Sequence, residues 1–283
     1  MMGSLHGVVY PLIGCDVMKV ATAALERLLK TTKRNQFVNG KEQPQVVSCI
    51  LNSGGETVQT TSIVRDGKTS VAKFSIVGDG FPANVPVPDI DRLLGALKFH
   101  GQTVTLTVAD NKLVVKSGNK TTTMSANSDG RAFPNTHTTI GEWEKNSQEK
   151  AKAIHENTYV LQSGEKKKPF FTYKMDAENL FDALRCDEMN GQRLNRYRFI
   201  LEDTNFKVIV GDHLKGQTEI LLDDEIVSNI TWDASFEGGL EYVLKHYNGK
   251  VRLSFFDFTK VGQGYRLVLT FDNEDFLLQA SVL

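Results

Sequence analysis

The apolar positions of the chain change period several times, and each change marks an element. From Asp16 to Leu29 the residues Val17, Val20, Ala21, Ala24 and Leu28 recur along one stripe, and Asp16 is placed to cap it. The spacing predicts a helix with Lys19, Glu26 and Lys30 on its polar face and Arg27 on the flank. The period then drops to two. Gln45–Asn52, Thr57–Val64 and Thr69–Val77 read as a strand meander, separated by the turn signals Ser53-Gly54-Gly55 and Asp66-Gly67. Pro88-Asp89 opens a second helix that ends near His100-Gly101, and strands follow at Thr103–Ala109, Lys112–Lys116 and Lys120–Ala126.

This pattern occurs twice. Leu93–Val108 (LLGALKFHGQTVTLTV) has a gapless echo 147 residues later at Leu240–Phe255 (LEYVLKHYNGKVRLSF), and each copy is a short amphipathic helix, a turn and an alternating strand. A strand at Phe170–Lys174 leads into a helix from Asp176, where Asp176–Leu180 parallels Asp16–Val20 at an offset of 160. Strands at Arg196–Leu201, Phe206–Val210 and Thr218–Leu222, a helix over Phe236–Tyr247 and closing strands at Lys250–Phe256, Tyr265–Phe271 and Phe276–Val282 complete the copy. The expected division is one domain over residues 1–126, a second over 169–283, and a polar linker or insertion over 127–168 with a short helix around Trp143–His155.

A chain of 283 residues with 40% hydrophobic content suits two ordinary cores. Its net charge of −1 excludes coating of nucleic acid by bulk charge, so any contact with DNA must come from a local patch. Cys15, Cys49 and Cys186 are odd in number and contain no CxxC pair, which argues against a disulfide framework or a zinc site and fits a reducing, intracellular setting. The N-terminal apolar run is broken by Pro11 and is too short to span a membrane.

No enzymatic constellation stands out. The chain holds no GxxxxGK[ST], GxGxxG, HExxH or GxSxG, and its six histidines never fall at metal-ligand spacing. His100 and His246 stand at predicted helix ends, where solvation or the helix dipole accounts for them. The run Leu222-Asp-Asp-Glu225 reads as a solvated turn, and Cys186 as an inert, half-buried thiol. Neither catalytic residues, nor a metal, nor a cofactor is expected.

The repeated order of helix, strands, helix and three strands, with LKFHGQTVTLTV and a terminal DFLLQASVL, resembles the DNA sliding clamps, among them proliferating cell nuclear antigen and the clamps of tailed bacteriophages. Lys168–Phe181 looks most like the entry to the second domain of a phage-type clamp. The resemblance implies an α+β DNA-clamp fold of two similar domains, each with two helices packed on antiparallel sheets. It also implies a homotrimeric ring around double-stranded DNA, a processivity factor for viral or phage-like replication that meets a DNA polymerase and a clamp loader at intracellular replication sites and has no membrane partner. Such a protein holds DNA by topology, through contacts to phosphates that ignore base sequence.

Candidate DNA-facing residues are then Lys19, Arg27 and Lys30 on the first helix, Arg92 and Lys98 on the second, Arg185 on the third and Lys245 on the fourth. Asp16–Arg34 carries five basic residues against two acidic, whereas Asp176–Arg196 carries three against five, which favours the first helix over the third. The resemblance also implies a pocket for partner peptides walled by Tyr265, Leu278, Ala280, Val282 and Leu283, with Phe133 and Pro134 from the linker. The competing expectations are a processivity factor or checkpoint-type clamp subunit that forms no homotrimeric ring, and a structural two-domain β-protein without a DNA role.

Overall fold

The computed structural model describes residues 17–38, 41–44, 46–65, 69–126, 149, 152–161, 164–186, 196–212, 216–237, 239–273 and 275–282. The first half opens with β1 (Val17–Ala21) and α1 (Thr22–Lys33), followed by the small hairpin β2 (Asn35–Val38) and β3 (Lys41–Pro44). Next come β4 (Cys49–Arg65), β5 (Thr69–Val87), α2 (Ile90–Leu97), β6 (Thr103–Ala109), β7 (Lys112–Ser117) and β8 (Lys120–Ser125). A two-stranded ladder of β9 (Tyr159–Val160) and β10 (Lys166–Lys167) leads into the second half. That half runs β11 (Phe171–Asp176), α3 (Ala177–Arg185), β12 (Arg196–Glu202), β13 (Asn205–Asp212), β14 (Gly216–Asp223), β15 (Trp232–Glu237) and α4 (Leu240–Leu244). It closes with β16 (Lys250–Asp257), a 3-10 turn at Thr259–Val261, β17 (Tyr265–Phe271) and β18 (Phe276–Val282).

The expected helix over Asp16–Leu29 is thus corrected. Val17–Ala21 is a strand with alternating burial, paired with β6 from Val17↔Thr107 to Ala21↔Thr103, and the helix begins at Thr22. Val17 and Val20 fit both a helical and a period-two reading, and long-range pairing with β6 decides between them. The offset of 160 falls with it: Ala21 stands opposite Thr103 as Asp176 stands opposite Lys250, so Ala21 and Asp176 are the matching positions, and each is the N-cap of its helix.

The expected meander is a single long hairpin. β4 and β5 pair from Cys49↔Val87 to Arg65↔Thr69, and Ser53-Gly54-Gly55 produces register shifts within the ladder instead of a turn. Glycine inside a strand pattern serves a bulge as readily as a reversal. Likewise the expected helix over Phe236–Tyr247 starts only at Leu240, because Phe236 lies in β15 opposite Tyr197. Asp89, by contrast, caps α2 as its position predicts, accepting the Arg92 amide at 2.9 Å.

A 14-stranded sheet carries both halves, its main path running β14-β13-β12-β15-β18-β5-β1-β6-β7-β8. β18 belongs to the second half and β5 to the first, and they pair through Phe276↔Lys73 and Leu278↔Val71, so the halves share one hydrogen-bonded surface. Helices α1 to α4 cover one face, where Leu25, Leu28, Leu93, Leu180 and Val243 join the strand residues in a single apolar core. Its densest part is aromatic: Phe255 lies within 4.5 to 6.1 Å, centroid to centroid, of Phe171, Phe199, Phe206, Trp232 and Phe236. On the opposite face a smaller core forms where Ile154, Tyr159 and Leu161 pack on Phe256, Val268, Phe276 and Leu278.

Candidate nucleic-acid interface

Helices α1 to α4 lie side by side in one layer, since α1 packs against α2 and α4, and α4 packs against α3; the helical residues 152–155 lie on the other face, over the small core. Each buries an apolar stripe and leaves a polar one. On α1, Leu25, Leu28, Leu29 and Thr32 are buried, which puts Ala23, Arg27 and Lys30 on the exposed face. Glu26 ion-pairs Lys30 at 3.3 Å, and Lys33 reaches across to Asp91 of α2 at 2.7 Å. Exposed pairs of this kind contribute little stability, and of the two it is Lys33–Asp91 that joins α1 to α2.

The expected residues divide into those on this face and those off it. Arg27 and Lys30 are on α1 and exposed; Arg92 and Lys98 are exposed at the two ends of α2. Arg185 ends α3 with its guanidinium 5.0 Å from the Phe181 ring, and Lys245 follows α4 with its ammonium 5.2 Å from the Tyr242 ring. Lys19 is the exception, because it sits on β1 and alternates to the face opposite Met18 and Val20, away from the helix layer.

Arg27, Lys30 and Lys245 converge on His246, at the junction of the two halves. Burial is the main cause that lowers the His246 imidazole to about 4, and the charges of Lys245, Arg27 and Lys30 add to it. Its Nε2 is shielded from solvent and has no hydrogen-bond partner. This overturns the expectation of a solvated or dipole-stabilised histidine: the ring is held neutral among three cations. A cleft of about 250 Å³ opens beside it, lined by Arg27, Thr31, Ser75, Tyr247, Asn248 and Asn273 among others.

Beneath the cleft lies Asp275, whose side chain has no exposure. It accepts hydrogen bonds from Ser75 Oγ of β5 at 2.6 Å, from Asn273 Nδ2 at 2.9 Å and from the Tyr247 hydroxyl. Burial raises the Asp275 carboxyl above its ordinary range, and these donors partly offset that rise. Burial and the Asp275 charge together push the Tyr247 hydroxyl up strongly, so the phenol stays a donor. Its ring stacks on Phe271 with centroids 3.9 Å apart. Ser75, Tyr247 and Asp275 went unnoticed in the sequence, and His246 was read only as a helix-end histidine; the local signal was faint, a KHYN run directly after the echoed helix.

Of the residues expected to wall a partner pocket, Leu278 and Tyr265 lie on opposite faces of the sheet. Leu278 is 2% exposed and belongs to the small core beneath Tyr159 and Leu161. Leu278 pairs with Val268, whereas Tyr265 follows the opposite alternation and packs on Phe170 and Trp232 in the main core. Ala280 and Val282 are placed through their backbones, opposite Arg266 and Ser235. Phe133, Pro134 and Leu283 lie outside the described residues.

No family model and no curated protein match the sequence. Solved structures do. The DNA polymerase III subunit beta from Pseudomonas aeruginosa superposes over 94% of this chain with a TM-score of 0.60 and 14% identity. The fold is that of a sliding clamp. A DNA polymerase sliding clamp from the same organism, solved with ligand, gives a TM-score of 0.58 and 15% identity over 94% of the chain. The clamp-like chain spans 65% and 64% of the length of these two structures. Among the described residues no helix is long and apolar enough to cross a membrane.

Proposed function

We propose that the chain is the subunit of a homotrimeric sliding clamp, built from a domain over residues 1–126 and another over 169–283, that encircles duplex DNA and tethers a polymerase and its loader. It acts by topology and not by catalysis. The observation that carries this reading is the continuous helix layer with Arg27, Lys30 and Lys245 gathered at its centre. A cluster of cations that leaves base edges unread suits a phosphate backbone passing along the layer.

The internal repeat supports closure. Within the chain α1 meets α4, which leaves α2 and α3 at the ends of the helix row, and the main sheet path ends likewise in β8 and β14. Joining β8 of one copy to β14 of the next would hide both edges and bring α2 against α3. The echo places Phe99 at the position that matches His246, and Phe99 is 71% exposed beside α2, where a neighbour would cover it.

The test has two arms. Light scattering should return about three times the chain mass, and Phe99→Asp should reduce it to that of one chain. Protein loaded on nicked circular DNA should remain bound and slide off after linearisation, with Arg27→Glu/Lys30→Glu weakening retention. A monomer at every concentration that no loader assembles overturns the ring; equal retention on linear and circular DNA overturns encirclement.

A further inference from the structure

On the sheet face away from the helices, the register sets Lys174 of β11 opposite Arg252 of β16, and Arg252 opposite Thr270 of β17. Two cations directly across a ladder repel each other, an arrangement that works against the sheet unless an anion joins them. Lys250 lies two residues along β16 on the same face and has its own acid, Asp176, at 3.0 Å. Among the described residues Lys174 and Arg252 have none. Arg252 Nε and Thr270 Oγ1 are both shielded from water without a hydrogen-bond partner, a cost that a bound acceptor would relieve.

These groups line a cavity of about 380 Å³ with His155 at its rim. Segment 152–161 covers the rest of the face, where Asn157 Oδ1 accepts from Ser254 Oγ at 2.9 Å and Ile154 and Tyr159 seal the small core. Among the described residues that cover ends at His155, and they leave the basic end of the sheet open beside an apolar wall.

We propose that Lys174, Arg252 and Thr270 form a binding site for the carboxylates of an acidic peptide segment of a partner protein. The planar Arg252 guanidinium suits a carboxylate, and Lys174 supplies a second charge across the ladder. Charge count favours a peptide over nucleic acid: Asp176 and Asp272 flank the cavity, so the site holds a small positive excess, enough for one or two carboxylates and too little for a phosphate backbone. The site goes beyond the clamp reading and stands whether or not the ring closes.

Fluorescence anisotropy on the full chain tests it with three rhodamine-labelled probes: a peptide of alternating glutamate and glycine, its glutamine counterpart, and a single-stranded oligonucleotide of equal length. The glutamate peptide should bind, the glutamine peptide at least about tenfold more weakly, and Lys174→Glu or Arg252→Gln should each cost about tenfold. Lys174→Gln should leave the thermal midpoint unchanged or raise it, since it removes a like-charge neighbour. Equal binding of the two peptides, oligonucleotide binding that Lys174→Glu or Arg252→Gln abolishes, peptide binding unaltered by the variants, or a clear fall in the midpoint of Lys174→Gln would each overturn the proposal.

Discussion

Asp275 offers a sharp test of how the two halves are joined, because one buried carboxylate takes donors from β5, from the chain after α4 and from the turn before β18. Asp275→Ala strands the Ser75 hydroxyl, the Tyr247 hydroxyl and the Asn273 amide. Leaving a buried donor unmet costs about 1–3 kcal/mol, and water entering from the adjacent cleft recovers part of that, so the expected loss is about 3–5 kcal/mol. Asp275→Asn differs. Its carbonyl still accepts two bonds, the Ser75 hydroxyl can rotate to accept the new amide, and the burial of a charge disappears. The expected loss is below about 1.5 kcal/mol.

The pH dependence separates these effects further. The native carboxyl is raised above the ordinary value of 3.8, so the folded state holds its proton more tightly than the unfolded chain. This contribution to stability is fully present below 3.8 and is lost as pH rises through the native value. Urea unfolding followed by tryptophan fluorescence at a series of pH values should show that loss in the parent and not in Asp275→Asn. At about 2–4 °C per kcal/mol, Asp275→Ala should lower the thermal midpoint by roughly 6–20 °C. If Asn destabilises as much as Ala, an ionised carboxylate is required and the reasoning fails; if Ala costs under about 1 kcal/mol, the network does not hold the halves together.

Three further outcomes follow from the geometry. The His246 ring proton should titrate by NMR near pH 4 instead of 6.5, and Lys245→Gln should shift the midpoint upward; because the native value is lowered, stability tied to His246 is present above 6.5 and lost as pH falls towards 4. Phe255→Ala, at the centre of five aromatic neighbours, should cost about 3–5 kcal/mol in chemical unfolding. Cys49, whose thiol burial pushes up to about 12, should resist a thiol reagent in the native protein and react on unfolding.

The sequence was most legible where one half could be read without the other. Thr103–Ala109 was anticipated to the residue, because strict alternation and its flanking turns leave no second reading. Val17–Ala21 was misread because VMKVA satisfies a helical stripe as well as a strand, and only pairing with β5 and β6, both distant in the chain, selects the strand. The same ambiguity carried Lys19 onto a helix it does not occupy. Of the seven basic candidates the structure gathers Arg27, Lys30 and Lys245, yet the partners that give this junction its character were invisible. Ser75 and Asp275 are 200 residues apart, and no local period marks two positions that meet only after both halves fold.

The repeat also explains why charge is spread unevenly over matching helices. α1 exposes Arg27 and Lys30, whereas α3, its counterpart, exposes Glu178 and Asp182 beside Arg185. A DNA-facing layer built from two equal repeats would attract phosphates uniformly and strongly, and strong attraction opposes sliding. Placing the cations at the junction of α1 and α4, and acids on α3, gives each subunit one attractive zone bounded by a repulsive one. In the proposed ring a duplex would then be held by topology and touched intermittently. That division also favours diverging sequences: the apolar stripe must be kept in both copies to fill one core, while the exposed stripe is free to differ. The echo accordingly survives in Leu93 and Leu240, Leu97 and Leu244, and Val104 and Val251, all buried, while on the exposed side Lys98 and Lys245 match and most other positions differ.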